Sequence, residues 1–111
     1  MKTVAHIIKG EHHDDGGRYQ PIFNPATGVS ESRVALASQQ TVEQAIAAAR
    51  EAFPAWRATP PLKRVQVLYR FKQLLEEHKE EICALLTAEH GKVTDDAMGE
   101  LARGIENVEY A

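Results

Sequence analysis

The sequence predicts an α+β segment in which short N-terminal strands are followed by three amphipathic helices. Up to about residue 37, β-branched stretches stand between turn-forming Gly, Pro and Asn residues. From Gln40 onward, apolar residues recur at the three- and four-residue spacing of a helix. We therefore expect a strand segment over residues 1–37 and a helical segment over residues 38–111.

Three extended stretches are predicted in the first segment. The stretch TVAHIIKG predicts one strand that enters a turn at Gly10, and the polar stretch EHHDDGG predicts the loop after it. The stretch RYQPIF predicts a second strand, which Pro21 restricts to a sheet edge or a strand end because proline cannot donate to a ladder. The turn NPATG then leads into a third short strand, SRVALA.

The first helix is expected to begin near Gln40. Thr41 and Gln44 have the spacing of a capping box, in which each side chain bonds the backbone amide near the other residue. Pro54 is expected to bend or end this helix near Phe53. The residues of its apolar stripe are Val42, Ala45, Ile46, Ala49, Phe53 and Trp56.

The second helix is predicted to run from the Pro60–Pro61 pair to Gly91. Proline is well tolerated in a first helical turn, and glycine commonly follows a last turn. Its expected buried face consists of Val65, Leu68, Phe71, Leu75, Ile82, Leu85 and Leu86.

The third helix is predicted to be capped by Thr94, with Asp95 and Asp96 complementing the helix dipole in the first turn. Its apolar stripe consists of Met98, Leu101, Ala102, Ile105 and Val108. Each helix thus has an apolar face that needs burial, and the three short strands are too few to cover them all.

Composition argues against several functions. The formal net charge of −3, with no basic run, argues against a nucleic-acid or anionic membrane surface. No membrane span, secretory signal or Arg-rich presequence is visible, and a single cysteine permits no internal disulfide. The expected compartment is therefore the cytoplasm.

Two other stretches contain side chains that could form a metal or nucleophilic site. The run HHDD, from His12 to Asp15, contains metal-ligand side chains, but four consecutive residues cannot converge on one ion, so a solvated hairpin loop is expected. Cys83 stands beside Glu80 and Glu81, whose charges disfavour a thiolate, so it is expected to be a small core residue rather than a nucleophile. No phosphate-binding glycine motif is present.

Arg103 admits two interpretations. Glu100 and Glu106 stand three residues away on either side, and Asn107 stands four residues after it, which predicts an exposed ion-pair ladder. Alternatively, the planar guanidinium grips a substrate carboxylate, and Gly104 leaves space for it. Spacing by itself favours the ladder.

Three stretches resemble the first segment of an aldehyde dehydrogenase: FNPATG, AIAAAREAFPAWRATPPLKRVQVLYRFKQLLEEHKEEI and EHGKVTDDAMGELARGIENVEYA. The resemblance runs from about Phe23 to Ala111, and its last part is most similar to the CoA-acylating methylmalonate- or malonate-semialdehyde dehydrogenases. It implies an α/β aldehyde dehydrogenase-like parent fold, in which residues 38–111 are the truncated start of the cofactor-binding domain.

The resemblance also implies a chemistry for the parent enzyme. Such enzymes oxidise a semialdehyde with NAD and transfer the acyl group to coenzyme A with loss of carbon dioxide, giving propionyl-CoA or acetyl-CoA. Arg103 matches the arginine that holds the substrate carboxylate. The family's NAD loop, general-base Glu and nucleophilic Cys come later in the sequence, so these 111 residues are expected to be inactive by themselves. The rest of the parent chain is the expected partner, within a homo-oligomer.

Two alternatives stay open. The parent enzyme could be another NAD(P)-dependent aldehyde dehydrogenase that acts on an uncharged aldehyde, with Arg103 in a surface ion pair. The chain could also be a non-catalytic helical module that binds a partner through its uncovered apolar faces.

Overall fold

The computed structural model describes all 111 residues and contains five strands followed by four helices. The strands are Lys2–Val4 (β1), His6–Ile8 (β2), Glu11–His13 (β3), Arg18–Phe23 (β4) and Ser30–Leu36 (β5). The helices are Gln39–Ala58 (α1), Pro61–Glu77 (α2), Lys79–His90 (α3) and Thr94–Tyr110 (α4). The chain forms two compact units, residues 1–58 and residues 59–111. The predicted order of strands followed by helices is confirmed.

The first unit contains a three-stranded sheet in the order β1-β5-β4. Strand β5 is central, parallel to β1 and antiparallel to β4. One side chain of β5 contacts both neighbours, because the Arg33 guanidinium lies 3.8 Å from the ring centroid of Tyr19 and its Nε donates to Thr3 Oγ1 at 2.9 Å. Pro21 lies on the edge strand β4, as its missing N–H predicts.

The stretch TVAHIIKG forms two strands in two different sheets, so the prediction of a single strand is wrong. Strand β2 pairs with β3 as an antiparallel hairpin, with Ile7 opposite His12. Its two-residue turn, Lys9 and Gly10, has positive φ angles of 54° and 80°. Two consecutive residues with positive φ form a tight turn whose twist matches that of the paired strands. The turn therefore places Glu11–His13, which was predicted as part of a loop, in a strand.

Helix α1 continues through Pro54 to Ala58, so of the two effects expected of Pro54, a bend or an end, the end near Phe53 does not occur. Proline removes one bond of the helical ladder at its own position. The residues that follow, AWRA, include good helix formers, and they extend the helix beyond the missing bond.

The predicted second helix is two helices, α2 and α3, which meet at His78. The backbone of His78 leaves helical geometry, with φ −102° and ψ 18°. Glutamates face each other at four-residue spacing across this point, 76 with 80 and 77 with 81, and like charges at that spacing destabilise a continuous helix. Because α3 begins after His78, Glu80 and Glu81 stand in its first turn, where negative charge complements the helix dipole.

The core of the second unit lies among α2, α3 and α4. Its buried members are Cys83, Ala97, Leu101 and Ile105, against which Leu75, Ile82, Leu86 and Met98 pack. Lys72 Nζ also lies 2.8 Å from Glu109 Oε1 and joins α2 to α4. Within the predicted apolar faces, Phe71, Leu85 and Ala102 are exposed instead of buried.

The predicted helix ends are confirmed in part. Pro61 begins α2, and Gly91 ends α3 in the left-handed conformation, with φ 84°. Thr94 is the first residue of α4 rather than its cap. The cap position is occupied by Val93, whose backbone is extended and whose side chain makes no capping bond. None of the four helices combines the length and apolar character needed to cross a membrane.

Candidate functional site

Arg103 lies in α4 on the side turned to solvent. The residues two before and two after it, Leu101 and Ile105, are buried in the core, so helical geometry turns the side chain of Arg103 outward. Asn107 Nδ2 donates to the carbonyl of Arg103 at 3.1 Å. Asn107 therefore contacts the backbone of this turn, and the guanidinium is not its partner.

The predicted ion-pair ladder around Arg103 does not form. Glu100 instead accepts a hydrogen bond from Lys92, which follows the C-terminal cap of α3. The hydrogen bond and charge of Lys92, with smaller contributions from His90 and Arg103, lower the pKa of Glu100 below its ordinary value. Neither Glu100 nor Glu106 forms a salt bridge with Arg103. The guanidinium thus retains its donors for another acceptor.

Two glycines open the helix surface around Arg103. A Cβ atom placed on Gly104 would meet no atom within 4 Å, as the sequence interpretation expected. The same holds for Gly99, which stands four residues before Arg103 and is therefore its neighbour one turn along the helix. The four-residue spacing between Gly99 and Arg103 can be read directly from the sequence. A planar acid can approach the guanidinium over these two positions.

A second polar cluster lies in the first unit, where Asp15 joins the hairpin to α1. Its Oδ2 accepts from the amide of Ser38 at 2.7 Å, and its Oδ1 accepts from the hydroxyl of Thr41. His13 Nε2 lies 3.2 Å from Oδ1, and the Asp15 side chain is only 11% exposed. Hydrogen bonds from Thr41 and then Ser38 lower the pKa of Asp15 from its ordinary 3.8 to about 2.

This cluster corrects the predicted capping box. The N-terminal cap of α1 is Ser38, whose Oγ accepts from the Thr41 amide at 3.2 Å, so Thr41 is the third helical residue rather than the cap. In a capping box the third residue accepts from the amide of the cap. Here the acceptor for the Ser38 amide is the carboxylate of Asp15, which lies in a turn distant in sequence.

The run HHDD, predicted to be a solvated loop, lies partly in a strand, and its aspartates hold neighbouring turns. His12 and His13 belong to β3, and Asp14 accepts from the Gly16 amide at 3.0 Å and from the Tyr19 hydroxyl at 2.9 Å. No three His, Cys, Asp or Glu side chains of the chain are arranged to hold a metal ion.

Cys83 is a core residue, as predicted. It is 1% exposed, and its thiol donates to Met98 Sδ at 3.3 Å. A thiol enclosed in this way cannot reach a substrate carbonyl, so we assign it no nucleophilic role.

Comparison with known proteins shows which family has this sequence and this fold. The sequence pattern of the aldehyde dehydrogenase family matches residues 12–111. The whole chain is 59% identical to a malonate-semialdehyde dehydrogenase of Pseudomonas aeruginosa. Its structure superposes on a methylmalonate-semialdehyde dehydrogenase of Oceanimonas doudoroffii with a TM-score of 0.97 at 59% identity, over 99% of this chain. A Sinorhizobium meliloti protein assigned to the same activity and crystallised with NAD gives 0.96 at 41% identity, also over 99% of this chain.

These matches cover only part of each relative. The chain spans 22% of the Pseudomonas and Oceanimonas proteins and 23% of the Sinorhizobium protein, at their N-terminal part. The family match nevertheless includes nearly all of this chain, from β3 through α4. The chain therefore belongs to the aldehyde dehydrogenase family.

Proposed function

We propose that this chain is the N-terminal part of an NAD-dependent, CoA-acylating dehydrogenase of malonate or methylmalonate semialdehyde. The observation that carries the proposal is the 59% identity, over the whole chain, to a malonate-semialdehyde dehydrogenase. Residues 38–111 are the start of its cofactor-binding domain, and the assembled enzyme is a cytoplasmic homo-oligomer.

In this proposal Arg103 binds the carboxylate at the far end of the semialdehyde. A guanidinium presents two parallel N–H donors that fit the two oxygens of a carboxylate. Arg103 is exposed, has no ion-pair partner and is bordered by the open positions Gly99 and Gly104. The substrate class thus rests on a residue of this chain, whereas the aldehyde chemistry requires groups outside it.

The reacting groups are expected in the remaining sequence of the enzyme. NAD would accept the hydride, and coenzyme A would receive the acyl group. Within these 111 residues there is no glycine-rich phosphate loop, and the one cysteine is buried in the core. We therefore assign no catalytic and no cofactor-binding residue here, and we expect the 111-residue chain to be inactive in an assay with NAD, CoA and semialdehyde.

A chimera tests the carboxylate role. The matching N-terminal part of the Pseudomonas enzyme is replaced by this chain, and NADH formation is measured with malonate semialdehyde and with propanal, each with CoA. Loss of a charge-assisted pair of about 1.5–3 kcal/mol predicts a KM increase of roughly ten- to a hundredfold for malonate semialdehyde in Arg103→Ala. The KM for propanal should stay within about twofold.

Arg70→Ala is the matched control, because Arg70 is an exposed arginine on another helix, α2. Equal losses for both aldehydes in Arg103→Ala would refute the carboxylate role and favour an enzyme for uncharged aldehydes. An active unfused 111-residue chain would refute the proposed division of the chemistry.

The exposed apolar residues of α1 favour a second candidate, a non-catalytic module that binds a partner. If the 111-residue chain is monomeric, melts cooperatively and yields no active chimera, this candidate replaces the first.

A further inference from the structure

The turn before β4 contains a chemically labile pair of residues. Asp15–Gly16 is the one Asp–Gly pair of the sequence, which has no Asn–Gly pair. An aspartate followed by glycine isomerises readily, because glycine has no side chain to hinder attack of its amide nitrogen on the preceding carboxyl group. Gly16 is exposed, with a φ of 68°, and a Cβ atom placed on it would meet no atom within 4 Å. Neighbouring atoms therefore do not shield Gly16.

Hydrogen bonds instead hold both reacting groups. The Gly16 amide, which would be the nucleophile, donates to Asp14 Oδ1 at 3.0 Å. The Asp15 carboxylate, which would be the electrophile, accepts from the Ser38 amide at 2.7 Å and from the Thr41 hydroxyl. The Asp15 side chain is only 11% exposed. The carboxylate must therefore leave the first turn of α1 before the Gly16 nitrogen can attack it.

The charge of the carboxylate adds to this protection. Ring closure expels one carboxyl oxygen as water, so it proceeds from the protonated acid, and the carboxylate is unreactive. Hydrogen bonds from Thr41 and then Ser38 lower the pKa of Asp15 to about 2, which keeps the group ionised at neutral pH. Once released from α1, the carboxyl group regains an ordinary pKa, and a larger fraction of it is protonated.

We propose that Asp15–Gly16 is a latent isomerisation site that the first turn of α1 keeps unreactive, and that its conversion to isoaspartate releases this turn. In the reaction the Gly16 nitrogen bonds to Cγ of Asp15, and the amide proton and a carboxyl hydroxyl leave as water. Water then opens the resulting five-membered succinimide at the α-carbonyl, so that the chain continues through Cβ and Cγ. The reaction consumes no oxidant and no other reagent, and the inference does not depend on the proposed function.

The product has a different reach at this position. The backbone is longer by one methylene group, and the carboxylate is attached directly to Cα. The carboxylate therefore cannot occupy its former position against the Ser38 amide and the Thr41 hydroxyl. An amide at a helix N-terminus has no partner within the helix, so the Ser38 amide is left to water. Return through the succinimide is slow, and the first turn of α1 thus stays without its acceptor.

The chimera described above tests this inference by incubation at neutral pH and physiological temperature. Trypsin then releases the peptide Gly10–Arg18, and electron-transfer fragmentation distinguishes isoaspartate at position 15 from isoaspartate at position 14. A synthetic peptide of the same sequence gives the unprotected rate. Isoaspartate should form at position 15 at least about tenfold more slowly in the chimera than in the peptide. The measurement is independent of whether the chimera oxidises malonate semialdehyde.

Variants connect the protection to α1. Thr41→Val has nearly the same shape but lacks one donor to the carboxylate, and it should raise the rate about tenfold, as expected for the loss of a hydrogen bond to a charged group. Thr87→Val is the matched control, because the Thr87 hydroxyl is buried without a hydrogen-bond partner, and it should change the rate less than about twofold. Asp15→Glu keeps a carboxylate but would need a six-membered ring, so it should form no isomer. Circular dichroism checks that all variants keep their helices.

Equal rates in the chimera and the synthetic peptide would overturn the inference, and so would equal rates in Thr41→Val and Thr87→Val. Hydrogen exchange measured by mass spectrometry tests the release of the turn. In isomerised molecules the first turn of α1 should exchange faster than in fresh protein, while α4 should be unchanged. Unchanged exchange in the first turn of α1 would refute the release. An inactive chimera that shows the expected rates would refute the proposed substrate and leave the isomerisation site in place.

Discussion

The core of the second unit offers a stability prediction whose magnitude follows from burial. Leu101 is 8% exposed, and Leu101→Ala removes three carbon atoms from contact with its neighbours. At about 0.8 kcal/mol per buried carbon group the transfer loss is about 2.4 kcal/mol, to which a cavity adds. The surrounding Leu75 and Leu86 are only partly buried and can move inward, so the cavity addition should be small. We expect a loss of about 2.5–3 kcal/mol in the free energy of unfolding.

Urea unfolding of the 111-residue chain, followed by far-UV circular dichroism, measures this loss. Leu62→Ala is the matched control, because Leu62 is 80% exposed on α2 and its truncation should cost no more than about 0.5 kcal/mol. If Leu101→Ala leaves too little structure to measure, Ile105→Val, with an expected loss of about 1 kcal/mol, keeps the comparison quantitative. Equal losses at Leu101 and Leu62 would refute the assignment of the core.

Three further outcomes are expected in the same chain. Ser38→Ala should lower the free energy of unfolding by about 1 kcal/mol through loss of the α1 cap, and Ser38→Thr should restore most of it; equal losses would contradict the capping role. Asp15 should stabilise the fold above about pH 4 and lose that effect as pH falls toward 2, because its pKa is lowered from 3.8 to about 2 on folding. Asp15→Asn should flatten this part of the curve of unfolding free energy against pH. An unchanged curve would show that the Asp15 carboxylate accepts no hydrogen bonds in the folded state. Gly91→Ala should cost about 1 kcal/mol, since Gly91 has a positive φ of 84°, and Gly17→Ala, at a glycine without positive φ, serves as its control in thermal melts.

Local chemistry predicted the ends of α2 and α3 well. The Pro60–Pro61 pair and Gly91 impose backbone conformations by themselves, so the start of α2 and the end of α3 could be identified in the sequence. The break at His78 was missed because the apolar spacing continues across it. The repulsion among the glutamates on either side of His78 is present in the sequence, but it does not disturb the apolar spacing from which the helix is predicted.

Distant contacts account for the other differences. The cap of α1 depends on Asp15, which lies 23 residues before Ser38, and no local pattern connects the two. The pairing of Lys92 with Glu100 likewise frees Arg103 from its predicted ladder. Residue spacing along α4 could not show that Glu100 would pair with Lys92, a cation outside this helix. The outward placement of Arg103, in contrast, followed from the apolar stripe of α4, because the buried residues fixed the remaining face.

The position of Trp56 gives the protein a spectroscopic label of its own. It is the single tryptophan of the sequence, and in α1 nearly half of its surface faces water. An indole in water emits at longer wavelength than one enclosed by apolar groups. The colour and quenching of its fluorescence therefore report, without any added dye, whether the helix that carries it is bare or covered, and they can follow assembly in real time.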